Sequence, residues 1–176
     1  MQAQNLSRAI TNKVYFEGRV VPASDPRTYP DVPIPEGVLV DYREAHAIRN
    51  LSPRASVTLG RRCVQGIIRD FYDVKKNSLH HEIKEIAKEL DKEFVQALLA
   101  VKGLGNIGAH PENDTALVVD VEPADAEALL RVIELFIDMT YVRRHNEKQT
   151  LAHIQAVNAE KQELRNRDPN ADHEDA

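Results

Sequence analysis

Asn106 and His110 stand four residues apart in Gly103-Leu104-Gly105-Asn106-Ile107-Gly108-Ala109-His110. On a helix that spacing puts an amide and an imidazole on one face. A histidine at a helix C-terminus lies by the negative end of the dipole, which favours its protonated form and suits it to general-acid work. The competing reading is architectural, with Asn, His and glycines stitching a helix end to its neighbour. Four cations could serve such a site. Arg54, Arg61 and Arg62 fall on one stretch and Lys102 one turn before Asn106, and together they form a candidate nucleic-acid-binding set around the catalytic candidates His110 and Asn106.

Other chemistry-bearing patterns fail on context. Gly103-x-Gly105-x-x-Gly108 matches the dinucleotide fingerprint, but that motif must open a long helix before a second strand. Here Pro111 disfavours α geometry at His110, and only eight residues separate Gly108 from Leu117. His81-Glu82-Ile83-Lys84-Glu85 has Glu where a zinc protease needs its second His, so a solvated helix face is expected. His46, His80, His145, His153 and His173 stand singly among polar residues and read as surface histidines. Cys63, the sole cysteine, cannot form an internal disulfide and reads as a buried packing residue. Neither metal nor cofactor is expected.

The elements that must position these groups are helical. Residues 22–37 hold five of the nine prolines and read as an extended arm. A first helix is expected from Val38 to Arg49. Ser52-Pro53 opens a second, running to about Tyr72, with Ser52 as cap. Turned by ~100° per residue, Val57, Leu59, Cys63, Val64, Ile67, Ile68 and Phe71 share one arc, Arg54, Arg61, Gln65 and Arg69 the opposite one, and Arg62 the margin. Gly60 and Gly66 within the apolar arc suggest close backbone approach. Asn77 or Ser78 can cap a third helix through Leu90, and Asp91 a fourth that enters the glycine-bearing segment. Pro123 opens the longest helix, apolar on most sides to Tyr141 and therefore expected at the centre of the core. Beyond Arg143 the apolar pattern thins, and the acidic end is expected to be disordered. The resulting organisation is an arm (1–37), a helical domain (38–142), a helical extension (143–165) and an acidic tail (166–176).

Length and composition fit one such domain. The chain has 176 residues, 42% apolar and only 5% aromatic, so its core is aliphatic. No apolar run approaches the ~20 residues of a membrane span, and the start lacks a signal-peptide pattern, so a cytoplasmic location is expected. The net charge of −5 argues against a nonspecific polyanion binder. Yet residues 53–110 carry ten basic and seven acidic side chains, while 111–176 carry seven and fifteen, so a phosphate-facing surface should come from the middle.

Tyr29-Pro30, Pro33, Pro35, Asp41-Tyr42, Glu44-Ala45, Ser52-Pro53-Arg54-Ala55, Arg61-Arg62 and Gly105-Asn106-x-x-Ala109-His110 form an ordered set. Over roughly residues 29–142 it resembles the domain-of-unknown-function family 4145. That family is similar to the HEPN superfamily of helical bundles, which includes metal-independent ribonucleases of toxin and phage-defence systems, and members occur alone or fused to restriction-endonuclease subunits. The resemblance implies an Arg that holds a phosphate, a polar residue beside it, and a His four to six residues on that assists proton transfer, often across a dimer interface. Asn106 and His110 match the polar residue and the His. Gly105 stands at the Arg position, which leaves Lys102, Arg61 or Arg62 as sources of the missing cation. Many relatives begin with a Cys-pair zinc ribbon, and this sequence has none.

The expectation is therefore an all-α bundle of about five helices with a proline-rich N-terminal arm. It would act as a defence-associated or restriction-type HEPN-like module that engages RNA, DNA or a partner protein, without a membrane and as a homodimer through the long helix. The alternatives are a ribonuclease using His110 and a non-catalytic dimerisation or adaptor domain.

Overall fold

The computed structural model describes residues 25–106 and 120–166. Among them all regular structure is helical: α1 (Glu36–Ile48), α2 (Pro53–Phe71), α3 (Leu79–Ile86, with a 3-10 turn to Glu89), α4 (Lys92–Asn106), α5 (Pro123–Ile137) and α6 (Arg143–Asn166). A π-helical segment, Asp138–Val142, joins α5 to α6 in one continuous rod, so the bundle has five helical bodies. His110 and the rest of the segment after Asn106 lie outside the described residues, as does the acidic tail.

Local chemistry sets the boundaries. Proline precedes or opens α1, α2 and α5, where its missing N–H costs nothing and its φ already suits a helix. Glu122 and Asp125 form a reciprocal capping box at α5, the Glu122 amide donating to Asp125 Oδ2 at 2.9 Å. Ser78 caps α3, its Oγ accepting from the His81 amide. Ser52 does not cap α2 as expected. Its ψ of 79° lies short of the extended geometry that swings an N-cap hydroxyl over the first-turn amides, and toward α2 its carbonyl engages instead, accepting from the Ser56 amide.

α2 is the hub, packing against α1, α3, α4 and α5. This corrects the expectation that α5 would be the central helix. α5 turns Glu127, Arg131 and the half-exposed Leu135 outward, whereas Val57, Cys63, Val64, Ile67 and Ile68 of α2 are fully buried. α1 crosses α2 antiparallel: Ser56 Oγ donates to the Ala45 carbonyl at 2.7 Å and Cys63 Sγ to that of Val38 at 3.5 Å. Burial pushes the Cys63 thiol up to about 12, so it is a packing group and not a thiolate.

α5 runs beside α2 in the same direction, since Gly60 faces Leu129 and Ile133 while Asp70 and Phe71 meet Tyr141. Both Gly60 and Gly66 face side chains, Leu129 and Val38 respectively, and not the backbone expected from sequence. Residues 25–35 cross α1 and α5, held by Tyr42, whose hydroxyl accepts the Arg27 amide at 3.0 Å, and by Arg27 Nη1 donating to Asp138 at 2.6 Å. α6 continues the rod beyond the π segment with little packing on the other helices, leaving Leu151, Ile154 and Leu164 well exposed. No described helix is long and apolar enough to cross a membrane.

Candidate functional site

α2 distributes its arginines in different directions. Arg62 is exposed and pairs with Asp41 of α1 at 3.2 Å. Arg61 is half-buried one turn before Gln65, whose amide reaches α3, so it stands on the flank toward α3 and α4. Two adjacent guanidiniums thus diverge by the ~100° helical step and do not share a pocket. Arg54, at the start of α2, reaches Asp120 just before α5 at 3.2 Å.

α4 decides where Asn106 falls. Phe94 in its first turn packs on Phe136 at 5.3 Å, and Phe136 stacks on Tyr72 at the far end of α2. Leu98 and Val101 remain buried further along, so α4 runs back along α2, antiparallel to it. Its last residue, Asn106, therefore comes to the end of the bundle where α2 and α5 begin and where Arg54 and Asp120 pair. Lys102 lies one turn earlier on α4. Backbone course alone brings Arg54 and Asn106 to one end of the molecule and puts Arg61 on the α4 side of α2, while Arg62 faces α1.

Two buried polar centres escaped sequence reasoning. Glu82, expected on a solvated face, has no exposed surface: it accepts from Gln65 Nε2 at 2.7 Å, Arg69 Nε at 2.8 Å and the Lys76 amide at 3.1 Å. Burial opposes its charge, but these three donors outweigh it and hold the carboxyl below its ordinary range. The usable signal was Gln65 and Arg69 one turn apart on the polar arc of α2, matched to a single acid within the apolar period of α3.

The second centre is a cleft of about 270 Å³ between the arm, α1 and α5, lined by Arg27, His46, Arg49, Glu127, Arg131 and Glu134 among others. His46, expected at the surface, is buried at 6% exposure, as is Arg49 at 5%. Arg49 Nη1 approaches His46 Nδ1 at 3.2 Å and donates to the His46 carbonyl at 2.6 Å. A guanidinium only donates, so Nδ1 accepts and the ring proton belongs on Nε2. Tyr42, also buried, donates to Glu134 at 2.5 Å, and Arg131 pairs with Glu127 at 2.8 Å. Guanidiniums and carboxylates here compensate each other, so the cleft fastens the arm and offers no net charge to a ligand. Among the described residues no group of three His, Cys, Asp or Glu could hold a metal ion.

Burial, then the Arg49 charge, lowers the His46 pKa below its ordinary 6.5, against weaker opposition from Glu134, Asp25 and Glu127. The unfolded chain therefore takes up this proton first. The stability it withholds from the acid side is complete above about pH 6.5 and declines as pH falls below that value. Urea melts at pH 7.5 and 5.5 should show wild type losing more stability than His46→Gln, which has no titrating ring; equal losses would refute the assignment.

An all-α helical bundle built around an apolar hub helix is the class these features define. The chain belongs to the family described as domain of unknown function (DUF4145), which matches residues 43–167. The match begins within α1 and runs through α6, so the stretch from Arg143 belongs to the family region, although the resemblance read from sequence ended at 142. No curated protein and no solved structure matches the chain.

Proposed function

We propose that the chain is a HEPN-like module of a phage-defence or restriction-type system, cytoplasmic, that engages nucleic acid at the end of the bundle where α2 and α5 begin. The observation that carries the reading is the return of α4 along α2, so that its backbone ends at the same end of the bundle as Arg54, with Arg61 on the adjoining flank. In this reading His110 follows from that helix end and, with Asn106, addresses a phosphodiester that Arg61, Arg54 and Lys102 neutralise.

The enzymatic form of the same reading is a metal-independent ribonuclease with His110 transferring a proton. Labelled RNA incubated with purified protein in EDTA tests it. A ribonuclease should lose about 10²–10⁴-fold of its cleavage rate in His110→Ala. Binding without cleavage supports the non-enzymatic module, and absence of both refutes nucleic-acid engagement.

A second reading, a dimerisation or adaptor domain, is favoured by the exposed Leu151, Ile154 and Leu164 on α6. A helix of this length with so little packing gains stability from a partner, a second copy or another protein of the same system. It predicts that His110→Ala lowers the melting temperature and changes nothing else.

A further inference from the structure

A group of basic residues stands apart from the arginines of α2. They gather on the turn between α2 and α3, where Lys75, Lys76, Asn77, His81 and Lys84 line a groove of about 440 Å³ with Glu85 as its one acidic wall residue. Lys76 Nζ meets Glu85 at 3.2 Å, and both side chains are about half exposed.

The turn is built and not loose. The Lys76 amide is held by the buried Glu82 carboxylate at 3.1 Å, Asp73 turns the chain in the left-handed region at φ 54°, and Ser78 Oγ lies 2.9 Å from His81 Nδ1. The lysines are thus presented on a backbone already fixed, which lowers the ordering cost of binding. The positive end of α3 opens on the same groove.

We propose that this groove binds the phosphodiester backbone of a nucleic-acid strand, a contact surface separate from the Arg54 end. It rests on the reading that the chain engages nucleic acid, and extends it to a second surface beyond the 19-residue α2, about 28 Å away at 1.5 Å per residue. A concave channel with cations on its loop wall, Lys75 and Lys76, and on its helix wall, Lys84, suits a threaded chain of phosphates. A lipid surface is disfavoured. None of the large exposed apolar residues, Val40, Leu51, Leu135, Leu151, Ile154 and Leu164, lies at the groove, so nothing there would insert among acyl chains.

Fluorescence anisotropy with labelled single-stranded RNA, titrated at several salt concentrations, tests the proposal. The triple variant K75A/K76A/K84A should bind roughly tenfold or more weakly near 0.1 M salt and reduce the slope of log affinity against log salt by about 2. Its melting temperature should stay that of wild type, because all three side chains are exposed. Glu85→Gln, which removes the compensating charge, should tighten binding about two- to threefold, a shift of the size expected of one exposed charge pair.

RNA binding unchanged in the triple variant overturns the groove while leaving the Arg54 end standing, and Arg54→Ala/Arg61→Ala then identifies that end. No RNA binding by wild type overturns both. Lysine-dependent binding of poly-glutamate or of phosphatidylserine vesicles, without RNA binding, also overturns the proposal by assigning the groove to another polyanion.

Discussion

Glu82→Ala is expected to destabilise the fold by about 3 kcal/mol, the loss of several hydrogen bonds to a charged group together with a small cavity. That corresponds to roughly 6–12 °C in melting temperature for a chain of this size. Three donors from two elements, Gln65 and Arg69 of α2 and the Lys76 amide of the following turn, converge on the fully buried carboxylate. Arg69 is 40% exposed and can turn to water after the change, which keeps the cost below that of stranding a buried cation. Glu82→Gln should cost less, because Gln65 can flip its amide to accept from the new one.

Acid behaviour separates charge from packing at this site. The Glu82 pKa is depressed in the fold, so its contribution is present above the unfolded carboxyl value of about 4.5 and is lost as pH falls through the folded one. The gap between wild type and Glu82→Gln in denaturant melts should therefore narrow on going from pH 7 to pH 3. A constant gap would show that the carboxylate acts through shape alone. The same variants should loosen the lysine-bearing turn, since Glu82 anchors its backbone.

Gly60→Val is the second substitution with a large expected cost. A Cβ built at Gly60 comes within 2.6 Å of Leu129 Cδ2, 3.1 Å of its Cγ and 3.2 Å of Ile133 Cδ1, so even one added methyl forces the Leu129 side chain to shift within the packed core. Overpacking of this kind costs about 1–3 kcal/mol, and valine adds two methyls beyond the first. Gly60→Ala should be milder, because removing glycine from a helix interior returns about 1 kcal/mol.

Gly66 provides the control. Its added Cβ meets only Val38 Cγ2, at 3.1 Å, the tip of a single side chain. Gly66→Ala should therefore be neutral or stabilising. If the two glycines respond alike in thermal melts, the close seat of α5 on α2 is wrong.

Much of the helical plan was legible in sequence because its causes are local. Pro53, Pro123 and Ser78 mark helix starts through effects within one turn, and the apolar arc of α2 follows from a fixed rotation per residue. Cys63 was readable as a packing group for the same reason. Glu82 and His46 were misread because residue type predicts water contact only on average. Gln65 and Arg69 lie 17 and 13 positions from Glu82, and nothing local announces that they converge on it. His46 is covered by its own Arg49 and by elements that meet only after folding.

The candidate site divides along the same line. Asn106, His110 and the cations Arg54, Arg61, Arg62 and Lys102 were identifiable as chemistry by type and spacing. Which of them share an end of the molecule was decided by the path of α4 along α2, set by Phe94 against Phe136, and by the turning of Arg62 to Asp41. Residue order by itself determined the helices, the Ser78 cap and the apolar faces, all products of interactions within a few residues, though not the capping of α2 by Ser52. Only the tertiary structure decided that α2 is the hub, that a carboxylate could be sealed inside and that lysines 75, 76 and 84 line one groove, because burial and charge pairing depend on distances that exist only once separate helices pack.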